Sequence, residues 1–444
     1  MSLFGRLIYS ALLTVLAPFT WIWLWLRQRK TGGDWELFAA ERFGRFPQPW
    51  DGADPVWVHA VSVGEVRASV PLIQALLLKG ERVLLTHMTP TGRAEARRLL
   101  AQEISDGLVR QQWVPYDFHA AVKGLIKHFS PKYIILIERE VWPNLIHAAV
   151  ECRVPVVLAS ARFSERSARQ NRVLNRLLGG IMHQAYSQLS LVLAQSAEDA
   201  QRLFDAGARN VTVCGNLKFD VSLPKVAVEA GQLWHQRVDR PILVIASTRE
   251  GEDALFVPQI KAFCSQPTPD ARRPLVVLVP RHPQRFDQAA GLLDSAGIRY
   301  ARWSMLRDDP TSMDVAKSLE VILGDTMGEL PFFYGTADVA IVGGSFAPLG
   351  GQNFIEASAA GVPVIVGPHT RNFKDAVLSA SEAGVLVQVT NAEQAMAQAR
   401  QWMDNPEQAA PFGQHGKSWV ASHVGATARI MESLRAFEGE PQGQ

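Results

Sequence analysis

Cysteine is scarce in this 444-residue chain. Cys152, Cys214 and Cys264 are its three, far apart and without a CxxC pair, which excludes a disulfide framework and a cysteine zinc site and suits a reducing compartment. A dominant charge is also missing: 45 basic against 43 acidic residues leave +2. No basic stripe with interleaved aromatics appears, so nucleic acid is not expected as a partner. There is no short-period repeat and no low-complexity tract. GxxxxGKS/T is absent (Gly416-Lys417-Ser418 lacks the first glycine), as are GxGxxG after a strand, HExxH and GxSxG. These absences argue against a P-loop ATPase, a dinucleotide dehydrogenase, a zinc protease and a lipase-type esterase.

What is present begins with twenty uncharged residues, Leu7 to Leu26, containing Trp21, Trp23 and Trp25 and followed by Arg27, Arg29 and Lys30. As a helix the run spans about 30 Å, the thickness of a bilayer core. Interfacial tryptophans followed by cations put the C-terminal side in the cytoplasm. The basic cluster lies on the wrong side for a signal peptide, and no small-residue cleavage site follows. The expectation is a membrane anchor over residues 1–30, as one span or a partly buried helix, with Pro18 able to kink it.

After a connector in which Trp35 to Phe43 reads as a short helix, apolar strands and helices alternate. Strands are expected at Val56–Val61, Arg82–Thr86, Ile134–Ile137, Val154–Ala159, Leu191–Gln195 and Val211–Cys214, with helices at Gly64–Leu78, Thr91–Gln102 and Trp142–Cys152. The grammar repeats at Ile242–Ala246, Leu275–Val279, Val321–Leu323, Val339–Val342 and Val362–Val366, with helices at Ala392–Asn405 and Ser418–Phe437. Such alternation predicts an α/β fold of two Rossmann-like halves, each a parallel sheet covered on both faces, with ligands bound in a cleft at the strands' carboxyl ends. The expected division is residues 31–220, a Pro-containing linker over 221–240, and residues 241–444, whose last helix is able to pack back on the first half.

The strongest local signal is Asp338 to Asp375. Val339–Val342 stops at Gly343-Gly344, a loop with Gly350-Gly351 follows, and Asn353 reads as the N-cap of a helix from Phe354 to Ala360. Such a β-α-β unit offers backbone N–H groups and a helix N-terminus to a phosphate, with Glu356 in reach of a sugar hydroxyl. The plainer reading is a tight β-α turn. Glu65, in Ser62-Val63-Gly64-Glu65 after the first strand, is a candidate general base or a helix-N-terminal acid interacting with the dipole. Glu138, in Glu138-Arg139-Glu140, belongs to a surface ion pair or to the cleft edge. Lys218, in Gly215-Asn216-Leu217-Lys218-Phe219-Asp220, suits the neutralisation of a leaving phosphate or is merely solvated. Pro280-Arg281-His282-Pro283 and Asp325-Thr326-Met327-Gly328-Glu329 follow strands on the rim of the glycine loop, and Arg281 is able to make a charge-assisted bond to phosphate.

Taken together, SVGE (Ser62 to Glu65), TPTG (Thr89 to Gly92), PYD (Pro115 to Asp117), WPN (Trp142 to Asn144), GNLKFD (Gly215 to Asp220), PRHP (Pro280 to Pro283), GDTMGEL (Gly324 to Leu330), VGGSF (Val342 to Phe346) and GPHT with NFKD (Gly367 to Asp375) resemble the 3-deoxy-D-manno-octulosonic acid (Kdo) transferase family across nearly the whole chain. The resemblance implies a GT-B fold with an N-terminal membrane anchor. It also implies metal-independent, inverting transfer of Kdo from CMP-Kdo to the lipid A precursor (lipid IVA), at the cytoplasmic face of the inner membrane and without a cofactor. By position, Glu65 would be the general base, and Glu138 and Lys218 would assist the transition state. Pro280, Arg281, Met327, Gly328, Glu329, Asn353, Phe354, Ile355 and Glu356 would surround CMP. The first half would then hold the lipid and the second CMP-Kdo. The chain departs from the family pattern at Arg139, which replaces a small hydroxyl, at Gln352 and Phe354 in the glycine loop, and at Arg371, which replaces an aromatic. The rival readings are a GT-B transferase of another nucleotide sugar and a non-catalytic, anchored nucleotide-sugar-binding protein.

Overall fold

The structure is a computed structural model and describes residues 3–31, 35–47, 50, 52–220, 223–266, 273–308 and 312–439. The chain divides into two compact units, Met1–Val221 with His423–Gln444, and Ser222–Ser422.

The first unit is a seven-stranded parallel sheet in the order β3-β2-β1-β4-β5-β6-β7. The strands are β1 (Val56–His59), β2 (Val83–His87), β3 (Val109–Trp113), β4 (Tyr133–Ile137), β5 (Val156–Ala161), β6 (Leu191–Ala194) and β7 (Val211–Val213). Its helices are α1 (Leu3–Thr31), α2 (Val63–Leu78), α3 (Pro90–Leu99), α4 (Ala101–Ser105), α5 (His119–Phe129), α6 (Pro143–Glu151), α7 (Glu165–Leu177), α8 (Ile181–Ser187) and α9 (Ala197–Asp205). The central strands are buried at every position, and mostly apolar, because both faces are covered. Trp57, Leu84, Ile134, Leu136 and Leu158 pack on one face with α5, α6 and α8. Val56, Val58, Leu85, Ile135 and Ile137 pack on the other with α2.

The second unit repeats the plan in the order β10-β11-β9-β8-β12-β13-β14, again all parallel. Its strands are β8 (Ile242–Thr248), β9 (Leu275–Pro280), β10 (Tyr300–Arg302), β11 (Val321–Leu323), β12 (Val339–Val342), β13 (Val364–Val366) and β14 (Leu386–Gln388). Its helices are α10 (Lys225–Val238), α11 (Glu252–Cys264), α12 (Phe286–Ser295), α13 (Trp303–Leu306), α14 (Ser312–Ser318), α15 (Leu330–Thr336), α16 (Ile355–Ala360), α17 (Lys374–Glu382), α18 (Ala392–Asp404) and α19 (Pro406–His423). A last helix, α20 (Ala426–Gly439), returns to the first unit and packs on α2. Asp220, the final residue of the GNLKFD block, caps it by accepting from the N–H groups of Gly425 (2.7 Å), Ala426 (3.3 Å) and Thr427.

Several expectations are corrected. The stretch expected as a linker is mostly helix α10, which packs on α15; residues 221 and 222 lie outside the described residues. The packing is close because a Cβ on Gly231 would stand 2.1 Å from the Phe332 carbonyl oxygen. Trp35–Phe43 holds only a 3-10 turn at Ala40–Phe43. The helix expected at Ser418–Phe437 is two helices, broken at Val424-Gly425, with Gly425 at φ 100°.

Helix α1 is long and apolar enough over Gly5–Leu26 to cross a membrane. One side is docked at two levels. The Tyr9 hydroxyl donates to Asp117 (2.8 Å) and Ser10 Oγ to Asn144 Oδ1 (3.3 Å). Three turns later Trp21 meets Phe38, Phe43 and Tyr116 at 5.6–5.8 Å between ring centroids. Leu12, Val15, Leu16, Phe19, Ile22 and Trp23 remain exposed.

Candidate active site

In an open parallel sheet, ligands gather where the strand order reverses. In the first unit that point lies between β1 and β4, which pair directly. Glu65 follows β1 and Glu138 follows β4, so the topology sets the two carboxylates on neighbouring strand ends. Ser62 caps α2 through its side chain, and Glu65 turns back over the same turn. Its Oε2 accepts from Val61 N–H at 2.6 Å and its Oε1 from Ser62 Oγ at 3.2 Å. This is close to a capping box, so the helix-terminal reading of Glu65 is part of the truth. Burial, then the nearby Glu138 and Glu140 carboxylates, push its pKa up to about 7 against those two hydrogen bonds.

Glu138 is buried and holds a left-handed backbone, φ 62°, unusual for a side chain of this size. Its turn is locked into the sheet: Glu138 N–H donates to Ala159 O and Arg162 N–H to Glu138 O, each at 3.1 Å. Lys218 Nζ lies 2.5 Å from Glu138 Oε1. The lysine is aimed by its own turn, where Asn216 Oδ1 accepts from Lys218 N–H at 2.9 Å and Ser160 Oγ from Leu217 N–H at 3.2 Å. The structure thus joins Glu138 to Lys218 directly and places Glu65 within electrostatic reach of Glu138. His59, at the end of β1, is wholly buried, bonded through Nδ1 to Thr86 Oγ1 (2.8 Å), and held neutral by burial, its pKa lowered to about 4. Nothing in the sequence singles it out.

The PYD and WPN blocks meet beside this rim. Asp117 accepts from the N–H groups of Asn144 (3.2 Å) and Leu145 (2.8 Å), capping α6, while Asn144 Nδ2 donates to Asp117 O (2.7 Å). Burial pushes the Asp117 pKa up to about 7 against the bonds from Tyr9, Asn144 and Leu145.

In the second unit the order reverses between β8 and β12. The loop after β12 is organised by Glu252, the first residue of α11, which the sequence had not singled out. Its buried carboxylate accepts from four backbone N–H groups: Gly344 (2.5 Å), Arg249 (2.8 Å), Phe346 (2.8 Å) and Ala347 (3.2 Å). Gly343 permits the approach, since a Cβ there would meet Thr248 Cα at 2.8 Å. Asp253 is buried too, bonded to Thr248 Oγ1 (2.5 Å) and Arg285.

Pro280 ends β9 next to β8, and Arg281 follows it. Arg281 and Glu356 both act electrostatically on the buried Tyr334, whose pKa burial and Glu356 raise and Arg281 lowers. Thr326 Oγ1, Glu329 Oε2 and Tyr334 OH are buried without a hydrogen-bond partner. Each such group costs about 1–3 kcal/mol while it stays unpaired. Met327 is exposed, and Gly328 takes φ 86°. Asn353 Nδ2 donates to Glu356 Oε1 at 3.0 Å and Asn353 Oδ1 accepts from Ile355 N–H at 3.1 Å. The N-cap is Phe354 rather than Asn353, and α16 has only six residues. Phe354 is wholly buried, stacked on Trp419 at 5.8 Å, and Ile355 is buried as well, so these two offer a ligand their backbone, not their side chains.

One group among the described residues gathers metal-ligating atoms. His119, His147 and Glu151 bring theirs within 4.8 Å of one another. Glu151 already holds Lys123 Nζ at 2.6 Å and His119 Nε2 at 2.7 Å, an exposed ion-pair cluster of the usual surface kind.

Residues 39–221 match the family described as 3-deoxy-D-manno-octulosonic-acid transferase (kdotransferase), and residues 306–419 match glycosyl transferases group 1. A 3-deoxy-D-manno-octulosonic acid transferase of Bordetella pertussis is 49% identical over 441 residues, covering 98% of this chain and 100% of the relative. That of Haemophilus influenzae is 31% identical, covering 97% and 98%. Among solved structures, UDP-GlcNAc 2-epimerase of Neisseria meningitidis superposes with a TM-score of 0.55 over 86% of this chain and 100% of that one at 16% identity, a likeness of fold alone. With two Rossmann-like units of the GT-B class and near-complete alignment to these relatives, the chain belongs to the 3-deoxy-D-manno-octulosonic acid transferase family of glycosyltransferases.

Proposed function

We propose that this chain moves Kdo from CMP-Kdo to the lipid A precursor, lipid IVA, inverting the anomeric centre without a metal. The observation that carries the reading is one switch point where Glu65, its pKa near 7, lies within electrostatic reach of Glu138, a second carboxylate that itself pairs with Lys218. A base with that pKa is half ionised near neutrality, the useful setting for proton transfer at cellular pH. Glu65 takes the proton of the acceptor hydroxyl as its oxygen bonds to the anomeric carbon of Kdo. The bond from that carbon to the CMP phosphate breaks, and CMP leaves with the electron pair. The Lys218 ammonium, oriented by Glu138, offsets the negative charge that develops, a task given in other enzymes to a divalent cation.

In the second unit, Arg281 suits the CMP phosphate and the Asn353–Glu356 pair suits ribose hydroxyls. Thr326, Glu329 and Tyr334 supply unpaired polar atoms around them. For the anchor, the contacts of Tyr9 and Trp21 lie about 18 Å apart along α1. A helix fastened at both levels to a polar domain favours lying in the membrane interface with its apolar side inward, on the cytoplasmic side of the inner membrane, over crossing the bilayer. Incubation of the detergent-purified protein with CMP-Kdo and tetra-acylated precursor tests the reaction: lipid mass rises by one or more Kdo units. No rise with intact donor and folded protein would reject the donor–acceptor pair.

A further inference from the structure

Helix α7 stands apart from the other long helices of the first unit because none of its thirteen residues is buried. Isolated helices of this length are marginal in water, and most helices gain their stability by packing an apolar face. Arg166, Arg169, Arg172 and Arg176 are all exposed and recur every three or four residues, so they form one row. Like charges at that spacing oppose the helix. A single acid, Glu165, lies 3.5 Å from Arg169, both side chains about three-quarters exposed. Beside the row, Val173, Leu174 and Leu177 are exposed at 55%, 44% and 71%. The sequence thus keeps a helix whose charge and apolar face are both unsatisfied within the unit.

The position of α7 indicates what satisfies them. Helix α7 packs on α8, α8 on α6, and α6 on α1, and α6 and α8 cover the same face of the sheet. The exposed apolar side of α1 and the arginine row of α7 are therefore attached to one helical layer. We propose that α7 is a second membrane contact, lying on an anionic phospholipid surface with its arginines at the headgroup phosphates and Val173, Leu174 and Leu177 at the acyl boundary. Basic and aliphatic residues on adjoining faces are the composition of an interfacial helix. Stacking on nucleic-acid bases would need aromatics, which α7 lacks. This contact rests on the membrane-associated reading of α1 but not on the identity of donor or acceptor.

The test uses the full chain with Leu174→Cys carrying an environment-sensitive fluorophore, after Cys152→Ser and Cys264→Ser; Cys214 is buried. The protein is reconstituted, without substrates, on vesicles of phosphatidylcholine alone or mixed with phosphatidylglycerol. The expected result is a blue shift on the anionic vesicles only, reversed by salt. Arg166→Gln, Arg172→Gln and Arg176→Gln together should weaken the docking read by the label on the order of 100-fold, from about fivefold per charge, and leave turnover in detergent unchanged. Three outcomes overturn the proposal: no shift while the protein remains vesicle-bound, an equal shift on neutral vesicles, or an unchanged shift in the arginine variant with acceptor turnover lost in micelles. The last would assign the row to phosphates of the acceptor instead.

Discussion

Lys218 Nζ lies 2.5 Å from Glu138 Oε1, and both side chains are largely shielded from water. Removing one partner of such a pair leaves the other uncompensated. Lys218→Ala is expected to lower kcat about 100- to 1,000-fold and stability by about 1–3 kcal/mol. Lys218→Arg should recover more of the stability than of the rate, since a planar fork does not reproduce the ammonium's position. Chemical denaturation and single-turnover kinetics separate the two losses. Full activity in Lys218→Ala would remove the lysine from the mechanism.

Glu65 gives a pH dependence whose sign follows from its raised pKa. With the ionised carboxylate as the proposed base, kcat/KM should rise with pH to a midpoint near 7 and then level. Stability runs the other way: between about 4.5 and 7 the folded chain holds a proton that the unfolded chain releases, so this group costs stability as pH rises through that window. Glu65→Gln should therefore lose about 100- to 10,000-fold in kcat, be at least as stable as the parent at pH 8, and be little changed at pH 4. Thermal unfolding across pH measures the second effect. A lower melting temperature for Glu65→Gln at pH 8 would show that capping by Glu65, not relief of its charge, dominates.

The expectation for Glu252→Ala is a damaged glycine loop. Four backbone N–H groups would lose their acceptor, at a cost of about 3 kcal/mol or more. The donor KM should rise much more than the acceptor KM. Equal effects on both would separate this loop from donor binding.

Gly343→Ala tests the same loop by steric means. The new methyl would press on the Thr248 backbone, which has no flexible side-chain end to yield. Loss of several kcal/mol or insoluble expression is expected. Wild-type stability would mean that the β8–β12 crossing relaxes freely.

The sequence made the middle of each sheet legible and left three of the four edges obscure. Strands such as Ile134–Ile137 and Val339–Val342 are apolar throughout because both faces are covered. The edge strands β3 (VRQQW), β10 (YAR) and β14 (LVQ) are polar or very short and carry no such run. Helix α10 reads as linker because Pro224 and its polar surface suggest a loop, while its packing depends on Gly231 meeting a helix about a hundred residues later. Glu65, Glu138 and Lys218 were legible as residues after strands; that Lys218 reaches Glu138 was not, since their pairing depends on strand order. Glu252 looked like any acid at a helix start, and its four donors come from turns that only the folded sheet brings to it. Phe354 read as part of a ligand loop and proved to be core.

The most direct test of the account compares the parent and Glu65→Gln at pH 8, where both are expected to be folded, with CMP-Kdo and tetra-acylated lipid A precursor in detergent. Lipid mass is read after single and multiple turnovers. The parent should add one or more Kdo units while Glu65→Gln leaves the lipid almost unchanged. Full product from the folded Glu65→Gln protein would contradict the assignment of Glu65 as the base.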